Sequence, residues 1–340
     1  MAELLAIIAC MTNSSHQADY GIIGAGISGL IAAQHLSHHG QSVLVIDKAR
    51  GVGGRMATRR KDDAVWDHGA QYIRFHNPEN FADLPLWTEK ALQPWFEQMN
   101  SPEGLHGETA TRWKCEKGMT SFPKLLAEGL PLHLSTRIAT LEQHDDFWRL
   151  QSETGDQFNV KKLLITAPGP QTVALLETLS NVNTTALNRI KTIQYDPCLA
   201  LLVRLKTLSS LPSPGALKLK DNPVLSWLAD NQQKGISPVP SVTLHASPEW
   251  SGAQFDADED SITQAMLDAA KPYLGEQAEF LSTQLMRWRY SQPTPVNQDD
   301  EPFCVVQNNP ALVIAGDGLG GPNVEGAMRS GLAAAKWLLS

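Results

Sequence analysis

A glycine-rich turn between a short apolar strand and a helix constrains this chain more than any other feature. Residues 19–54 read DYGIIGAGISGLIAAQHLSHHGQSVLVIDKARGVGG, which contains the motif G-x-G-x-x-G at Gly24, Gly26 and Gly29. In this motif the first glycine makes a tight turn, the second leaves room for a pyrophosphate, and the third lets helix and strand pack closely. The positive end of the helix dipole attracts the phosphates. The segment therefore predicts a dinucleotide-binding α/β domain.

An acidic residue ends the second strand of this unit. Asp47 follows the run VLVI and lies 23 residues after Gly24. A carboxylate at this point accepts hydrogen bonds from the hydroxyls of an adenosine ribose, and it repels a 2′-phosphate. We therefore expect the bound dinucleotide to carry an unphosphorylated ribose here.

A second glycine pair indicates which dinucleotide binds. Gly53, Gly54 and Arg55 begin six residues beyond Asp47, where a nicotinamide-binding half normally continues into an ordinary loop. This pattern resembles the FAD-binding flavoproteins that include amine oxidases, phytoene desaturases and renalase. The resemblance implies that the glycine pair lets the chain pass close to the cofactor and that Arg55 lies near the pyrophosphate. The alternative for Arg55 is a solvated surface charge, because arginines are mostly exposed.

The end of the chain carries a second part of the resemblance. Residues 311–317 read ALVIAGD, and a helix is predicted from Val324 to about Leu339. In the FAD family the aspartate of this Gly-Asp pair contacts the ribityl or pyrophosphate region. The helix then points its N-terminus at the flavin edge where negative charge collects on reduction. We expect the early and late motifs to hold one ligand.

Two further segments are similar to elements of the same family. Residues 163–168 (LLITAP) resemble the passage that returns to the cofactor, and residues 67–72 (DHGAQY) resemble the segment that runs along the isoalloxazine. No cysteine occurs between Gly316 and Val324, so we expect FAD to be bound non-covalently. The resemblance implies cofactor contacts from Gly24, Gly26, Ile27, Ser28, Gly29, Asp47, Lys48, Gly53, Gly54, Arg55, Met56, Gly69, Ala70, Gln71, Tyr72, Ile138, Ala167, Gly316, Asp317, Val324, Glu325 and Ala327.

Charge and cysteine content narrow the function classes. The net charge is −8, and the longest basic run, residues 59–61, is followed at once by two aspartates, so we expect no nucleic-acid partner. The four cysteines are far apart and form no C-x-x-C pair, which argues against a metal site or a redox disulfide. A reducing cytoplasm is the simplest location. No segment reaches the roughly 20 apolar residues that span a bilayer, so we expect no membrane insertion.

The motif positions predict a discontinuous architecture. A chain of 340 residues is expected to form two domains. We predict a Rossmann-type FAD-binding domain of the glutathione-reductase-like, glycine-doublet type, into which an α+β substrate domain with an antiparallel sheet is inserted. The FAD-binding domain is assigned to 11–75, 106–170 and 296–340, and the substrate domain to 76–105 and 171–295. Residues 1–10 are read as an extension, with Met11 as an alternative to Met1 as the start.

The inserted part shows alternating apolar runs that predict strands. These runs are 199–205, 224–228, 242–245 and 283–290, and residues 259–274 have apolar side chains at helical spacing. We expect a mostly antiparallel sheet over the flavin, with the helix packed on it.

Within the flavoproteins, the chain most resembles the renalase family, from Gly21 onward. The resemblance rests on the segments 47–56, 68–72, 117–119, 226–231, 244–247, 250–251 and 287–290. It implies hydride transfer from the 2- and 6-dihydro isomers of NAD(P)H to flavin N5, followed by reoxidation by O2 with release of hydrogen peroxide. The sequence indicates neither the oligomeric state nor a preference between NADH-type and NADPH-type substrates.

Three residues are the candidates for the catalytic wall. Hydride transfer from a dihydropyridine leaves an aromatic cation and needs no strong base, so a flat surface that holds the ring does most of the work. His245, Trp288 and Tyr290 are proposed for this surface. A histidine hydrogen-bonded within the sheet, and aromatic rings packed in the core, are the alternatives. Arg287 and Arg289 face the other way and are expected to be ordinary surface charges.

Two other functions remain open at this point. Amine oxidases of this superfamily typically carry an aromatic residue shortly before the late Glu-Gly-Ala, whereas this chain has GGPNV at 320–324. The difference disfavours oxidation of a small amine, and the lack of a strongly apolar segment disfavours carotenoid desaturation. A flavin-binding redox sensor without turnover is the second alternative.

Overall fold

The computed structural model describes residues 15–81, 92–106, 109–275, 277–294 and 301–340. The extension predicted for residues 1–10 and the alternative start at Met11 lie outside the described residues. The described helices are α1 (Ile27–His38), α2 (Ser121–Ala127), α3 (Gly169–Leu176), α4 (Thr184–Lys191), α5 (Pro248–Gln254), α6 (Glu259–Leu274), α7 (Asp317–Gly320) and α8 (Val324–Leu339), with a 3-10 helix at Pro78–Phe81. The described strands are β1 (Ser15–Ile23), β2 (Val43–Ile46), β3 (Thr58–Lys61), β4 (Ala64–Asp67), β5 (Ile73–Arg74), β6 (Leu92–Phe96), β7 (Met99–Ser101), β8 (Gly104–His106), β9 (Arg112–Cys115), β10 (Leu132–His133), β11 (Ile138–Gln143), β12 (Trp148–Ser152), β13 (Gln157–Ile165), β14 (Tyr195–Leu205), β15 (Ala216–Lys218), β16 (Leu225–Asp230), β17 (Ser241–Ala246), β18 (Phe280–Pro293), β19 (Phe303–Asn308) and β20 (Ala311–Ala315).

The larger sheet brings the predicted motif loops to one edge. Its strands lie in the order β10-β2-β1-β13-β12-β11, with β20 beside β13 and β19 beside β20. Strands β10, β2, β1, β13 and β20 run parallel. Ile23 is in register with Ile46 and Ile165, and Ile165 with Ile314. The loops after these strands therefore start side by side at the carboxyl edge, where open α/β sheets bind ligands.

Alternate residues of these strands face two separate apolar cores, as period-two geometry requires. On one face Ile22, Val45, Leu164 and Val313 pack with α1 and α8. On the other face Ile23, Ile46, Ile165 and Ile314 pack in a cluster that includes side chains of α3 and α4. Burial on both faces explains why these strands are continuous apolar runs.

Two close backbone contacts seat α1. A Cβ added to Gly29 would lie 2.0 Å from the Gly24 carbonyl oxygen, so the helix packs tightly on the turn before it. A Cβ added to Gly331 of α8 would lie 2.1 Å from the Ser28 carbonyl oxygen. The N-terminal turn of α1 is thus fixed from two sides by glycine contacts, and only the first of these belongs to the motif.

The smaller sheet confirms the predicted antiparallel strands. Its order is β15-β16-β17-β14-β18, and all described pairs are antiparallel. The predicted helix at 259–274 is α6, which packs its apolar side onto one face of this sheet. The opposite face, called here the inner face, carries Leu202 and Met286, which pack against Trp66 of the β3–β4 hairpin. The Trp66 indole N–H also donates to the Val203 carbonyl at 3.1 Å.

The division into domains stays a prediction, and two structural details bear on it. The boundary proposed at residue 170 falls inside α3, whose Leu176 packs in the core of the larger sheet together with Ile190 of α4. The boundary proposed at 295/296 lies outside the described residues. The segment up to α4 therefore packs with the larger sheet rather than with the smaller one.

Substituting Gly331→Ala tests the seat of α1. The added methyl group must displace the Ser28 backbone, and overpacking of this kind costs about 1–3 kcal/mol. We expect a lower free energy of unfolding in urea and a lower FAD content after purification. Gly252→Ala in α5 is the matched control, because its Cβ would meet nothing closer than Pro197 at 3.8 Å. That control should be neutral or stabilising by about 0.5–1 kcal/mol. Wild-type stability and FAD content in the Gly331 variant would contradict the proposed seat.

Candidate functional site

The glycine turn at the start of α1 has the features of a phosphate cradle. Gly24 has φ +116°, which favours glycine, and no atom lies within 4 Å of a Cβ added to Gly26. Gly26 is the N-cap of α1 and supplies no side-chain cap, so the first backbone N–H groups of the helix face this open space. Within the described residues, the buried Ser28 hydroxyl has no hydrogen-bond partner. An anion at the helix N-terminus would satisfy these donors.

Asp47 ties the end of β2 to this turn. Its Oδ2 accepts a hydrogen bond from the Ala25 N–H at 2.6 Å, and its Oδ1 accepts one from the Ala49 N–H at 2.7 Å. Each carboxylate oxygen keeps a second lone pair for a ribose hydroxyl. The neighbouring Lys48 donates to Gln171 Oε1 at 2.7 Å, so it bridges to α3.

The second glycine pair lies directly against the first. Gly53 and Gly54 have φ of +108° and +51°, and the Gly53 N–H donates to the Ala25 carbonyl at 2.8 Å. Gly26 and Gly53 also form an isolated β-bridge. The two glycine motifs therefore form one surface.

Arg55 joins the early motif to the late one. Its guanidinium makes a bidentate ion pair with Asp317, with N–O distances of 2.5 and 2.7 Å, and donates to the Ser291 carbonyl at 3.1 Å. The side chains of Arg55 and Asp317 are only 28% and 11% exposed, so Arg55 is not a solvated surface charge. The guanidinium also lies 5.6 Å from the ring centre of Tyr195. The structure thus brings together two motifs that are 262 positions apart in the chain.

The segment Asp67–Tyr72 runs between the glycine surface and the smaller sheet. A Cβ on Gly69 would lie 1.9 Å from the Arg55 carbonyl oxygen, and the Ala70 N–H donates to that same oxygen at 2.8 Å. The Gln71 side-chain amide donates to the Asp67 and Gly69 carbonyls at 2.7 and 3.0 Å. The segment is therefore held close to the motif by backbone contacts.

A buried ion pair anchors this segment, and sequence reasoning missed one partner. The Lys234 ammonium lies 2.7 Å from Asp67 Oδ2 and donates to the Gln71 carbonyl at 2.6 Å, and neither charged side chain is exposed. Lys234 follows β16 in a polar turn, NQQKG, which gives no sign of burial in the sequence.

The three predicted wall residues all lie on the inner face of the smaller sheet. His245 Nε2 is 3.5 Å from the side-chain nitrogen of Gln71. The Trp288 indole N–H donates to the His68 carbonyl at 2.9 Å, and the Trp288 and His68 rings stack at 5.2 Å. Tyr290 instead packs edge-on against Tyr195, at 5.7 Å, beside the Arg55 and Asp317 pair. His245 and Trp288 therefore adjoin Asp67–Tyr72, whereas Tyr290 lies toward the Arg55 end.

Arg287 and Arg289 point to the other face, as predicted, and they are exposed. They are not free charges, however. Arg287 donates to the carbonyls of Phe255 and Ala257, and the Arg289 guanidinium lies 4.3 Å from the Phe255 ring centre. Both arginines hold the end of α5 against the sheet.

An aromatic cluster extends the inner face beyond the predicted residues. Trp227 lies in register beside His245 and packs near Tyr72 at 5.9 Å. Trp95 and Phe96 complete the cluster. Within the described chain, the buried indole N–H of Trp227 has no hydrogen-bond partner. The aromatic residues of β6 and β16 were not predicted, because alternation alone does not say which strands meet.

The two histidines of the site are neutral at physiological pH. Burial lowers the pKa of His245 to about 4. The nearby His68 and Lys234 lower it further, whereas a hydrogen bond with the His68 backbone opposes the shift. Burial likewise lowers the pKa of His68 to about 4, although Asp67 opposes the shift. The inner face therefore presents uncharged rings near Asp67–Tyr72.

Two side chains fix the start of α8, and the predicted cofactor contact of Glu325 stays a prediction. The Asn323 side chain caps the helix by accepting from the Gly326 N–H at 2.7 Å. The Glu325 carboxylate accepts from the backbone N–H groups of His76 and Asn77 and lies 2.7 Å from His76 Nδ1. Burial raises the pKa of Glu325, but these hydrogen bonds outweigh that effect and hold the pKa below its usual value. The Glu325 side chain thus secures the chain after β5.

The remaining predicted contact residues lie in the apolar cores or in the loops after the parallel strands. Met56, Ala327 and Ile138 have side chains buried in apolar cores, and Val324 packs against one of them. Ala167 is the second residue after β13, and Gly316 is the first residue after β20. The contacts of all these residues with a cofactor stay predictions.

Across the described ranges, no group of three or more histidine, cysteine or acidic side chains could hold a metal ion. Cys115, Cys198 and Cys304 form no disulfide among the described residues, while Cys10 lies outside them. None of the described helices has the length and apolar character that crossing a membrane requires.

The fold and this surface define a Rossmann-type flavoprotein, and comparison with known proteins identifies the family. The profile of the flavin-containing amine oxidoreductases matches residues 92–339, and that of NAD(P)-binding Rossmann-like domains matches residues 22–84. The chain belongs to the flavin-containing amine oxidoreductase family. It is an oxidoreductase, and its cofactor is FAD.

Individual relatives agree with this assignment. Renalase of Mus musculus is 24% identical over 336 residues, which cover 93% of this chain and 97% of the relative. The flavin-containing amine oxidase A of Sus scrofa is 42% identical, but over only 26% of this chain and 16% of its own length. A solved structure of putrescine oxidase bound to putrescine superposes with a TM-score of 0.75 at 15% identity, covering 96% of this chain and all of that one. This last similarity shows the fold alone.

The neutral histidines predict how stability depends on pH. In the unfolded chain His68 and His245 bind protons with a pKa near 6.5, whereas in the folded protein they stay neutral down to about pH 4. The unfolded state therefore binds more protons, and the melting temperature should fall as pH falls from about 6.5 to about 5. Most carboxylates titrate below this window.

In the variant His68→Gln the melting temperature should fall less over the same pH window, because one of the two neutral histidines is gone. Differential scanning calorimetry measures this change. His38→Gln, at an exposed position near the end of α1, is the control and should keep the wild-type pH dependence. Equal pH dependence in all three proteins would contradict the neutral state of His68.

Proposed function

We propose that this protein is an FAD-dependent oxidase of the renalase type, which converts the 2- and 6-dihydro isomers of NAD(P)H to NAD(P)⁺. The net reaction consumes one dihydronicotinamide, one proton and one O2, and it yields NAD(P)⁺ and H2O2. The observation that carries the proposal is the uncharged face formed by His245 and Trp288 against Asp67–Tyr72. Similarity to a renalase over nearly the whole chain supports the same conclusion.

FAD, when bound, supplies the two-electron acceptor for the hydride and passes the electrons to O2. The glycine turn and the α1 N-terminus would hold its phosphates, and Asp47 its adenosine ribose. Gly53 would let the backbone approach it closely, and Gly69 keeps the segment Asp67–Tyr72 against the Arg55 carbonyl. Arg55, paired with Asp317, would place a positive group near its phosphates. We expect this binding to be non-covalent.

The inner face suits a substrate that becomes a cation. Loss of hydride turns the dihydropyridine into an aromatic pyridinium, so the wall beside it must not be positively charged. The pKa of about 4 keeps His245 neutral, and a neutral ring does not repel the product charge. The hydrogen bond of Trp288 to His68 and its stacking on that ring fix the indole plane before substrate arrives.

The stretch before Glu325 disfavours an amine substrate. Residues 320–324 contain no aromatic side chain, and Gly320 lies where a Cβ would be 2.0 Å from the Gly326 carbonyl oxygen. No aromatic side chain fits at Gly320 without moving α8. We therefore do not expect a small amine to reduce the flavin.

The decisive experiment mixes the purified protein anaerobically with separated 2-, 4- and 6-dihydro isomers and follows the visible absorbance of the oxidised flavin. We expect the 2- and 6-dihydro isomers to bleach the flavin within one turnover and the 4-dihydro isomer to be slow. Admission of O2 should then restore the absorbance with one H2O2 per flavin.

Three results would overturn the proposal. Reduction by the 4-dihydro isomer alone would indicate an NADH oxidase or reductase, and reduction by putrescine or another small amine would indicate an amine oxidase. No reduction by any of these compounds would indicate a flavin-binding sensor without turnover.

The variant His245→Ala tests the wall residue. We expect flavin reduction about 10- to 100-fold slower at saturating substrate, with FAD content unchanged, because the ring is held less well. The wild-type rate constant should show no inflection near pH 6.5, since the pKa of His245 is about 4. His38→Ala is the control and should react like wild type. Loss of FAD or of folding in the His245 variant would support a structural histidine instead.

A further inference from the structure

The ion pair between Asp67 and Lys234 is fully enclosed and fully satisfied. The Lys234 ammonium contacts Asp67 Oδ2 at 2.7 Å and the Gln71 carbonyl at 2.6 Å, and it lies 4.6 Å from the centre of the Trp95 ring. Asp67 Oδ1 accepts from the Thr58 hydroxyl at 2.6 Å and from the Met119 N–H at 2.8 Å. Every donor direction of the ammonium faces an acceptor or a π face.

The turn that carries Lys234 makes further bonds to the same segment. Asn231 Oδ1 accepts from the Asp67 N–H at 3.4 Å, and Thr243 of β17 donates its hydroxyl to the Asp67 carbonyl at 2.9 Å. The Asn231 amide donates to the Thr243 hydroxyl at 3.0 Å. The smaller sheet therefore binds both the side chain and the backbone of Asp67.

These contacts lie next to the proposed wall residues His245 and Trp288. Thr243 and His245 are alternate residues on the inner face of β17, and Gln71, whose carbonyl Lys234 binds, lies 3.5 Å from His245 through its side chain. Residues 69–70, which pass against Arg55, lie between the two anchor points Asp67 and Gln71. Lys234 therefore contacts this segment at both anchor points, and the second of these, Gln71, lies next to His245.

Stability alone gives a weak reason for such a pair. Removing two charges from water costs about as much as their attraction returns, so apolar replacements of buried pairs are often neutral or stabilising. What a fully hydrogen-bonded pair does provide is a defined direction and distance between the elements it joins.

We propose that Lys234 is a positioning residue for the hydride-transfer reaction: by binding Asp67 and the Gln71 carbonyl, it fixes the spacing between the His245 and Trp288 wall and the segment Gly69–Tyr72. This inference rests on the proposed function. It assigns no proton transfer to Lys234, which would act only through the elements that it joins.

The test removes both charges and keeps the volumes. In the double variant Asp67→Asn with Lys234→Met, no buried charge is left unpaired, so the protein should fold and bind FAD. We expect the limiting rate constant of anaerobic flavin reduction by the 6-dihydro isomer of NADH to fall about 100-fold, the loss that a displacement of about 1 Å brings. The substrate dissociation constant from the same titration should change less than threefold, by about 0.6 kcal/mol at most.

The matched control is an exposed ion pair on the same sheet region. Lys206 and Glu279 lie 2.8 Å apart with side chains 56% and 63% exposed. The double variant Lys206→Met with Glu279→Gln should keep the wild-type rate constant. An unchanged rate constant in the Asp67 and Lys234 double variant would overturn the inference and leave the pair a purely structural one.

Two additions keep the inference testable whatever happens to the first variant. If the double variant does not fold, Lys234→Arg keeps the charge but moves its donors, and it should still slow reduction about tenfold; a wild-type rate there would overturn the inference. If no dihydronicotinamide reduces the wild type, the proposed function fails by itself. The visible circular dichroism of bound FAD then tests the inference. An altered spacing should change this spectrum in the Lys234 variants and leave it unchanged in the control. Identical spectra in all these proteins would overturn the inference.

Discussion

The buried ion pair of Asp67 and Lys234 joins the β3–β4 hairpin of this flavoprotein to its smaller sheet. One partner ends the hairpin that packs on the smaller sheet, and the other lies in the turn between two strands of that sheet. The charges are tolerated in the interior because every oxygen and N–H direction has a partner. As a result, the segment that follows Asp67 is held next to the inner face, and we infer that this contact sets the width of the site between them.

On the other side of this segment, close backbone contacts decide the geometry. Gly29, Gly69 and Gly331 each lie where a Cβ would be within about 2.1 Å of a carbonyl oxygen. These contacts stack α1, the second glycine pair and α8 into one surface at the carboxyl edge of the parallel strands. The Arg55 and Asp317 pair then closes that surface from the late motif.

The chemistry available between the two surfaces is limited in an informative way. The inner face offers aromatic rings and the His245 imidazole, and His68 lies in the facing segment; burial lowers the pKa of both histidines to about 4 and keeps them neutral. Two ion pairs lie beside this face, Asp67 with Lys234 and Arg55 with Asp317. A site of this kind suits a flat ring and a cation formed from it, which supports the proposed hydride transfer to the bound cofactor.

The sequence by itself determined the elements whose pattern is local. The glycine motif, the strand ending at Asp47, the late Gly316–Asp317 pair, helix α6 and the antiparallel strands were all predicted, because turns, caps and periodicity are written in neighbouring residues. Only the tertiary structure decided which elements meet. It paired Arg55 with Asp317, buried Lys234 in a polar turn, added Trp227 beside His245 and turned the Glu325 carboxylate toward His76. Such contacts depend on strand order and on packing across distant parts of the chain, and no local pattern encodes them.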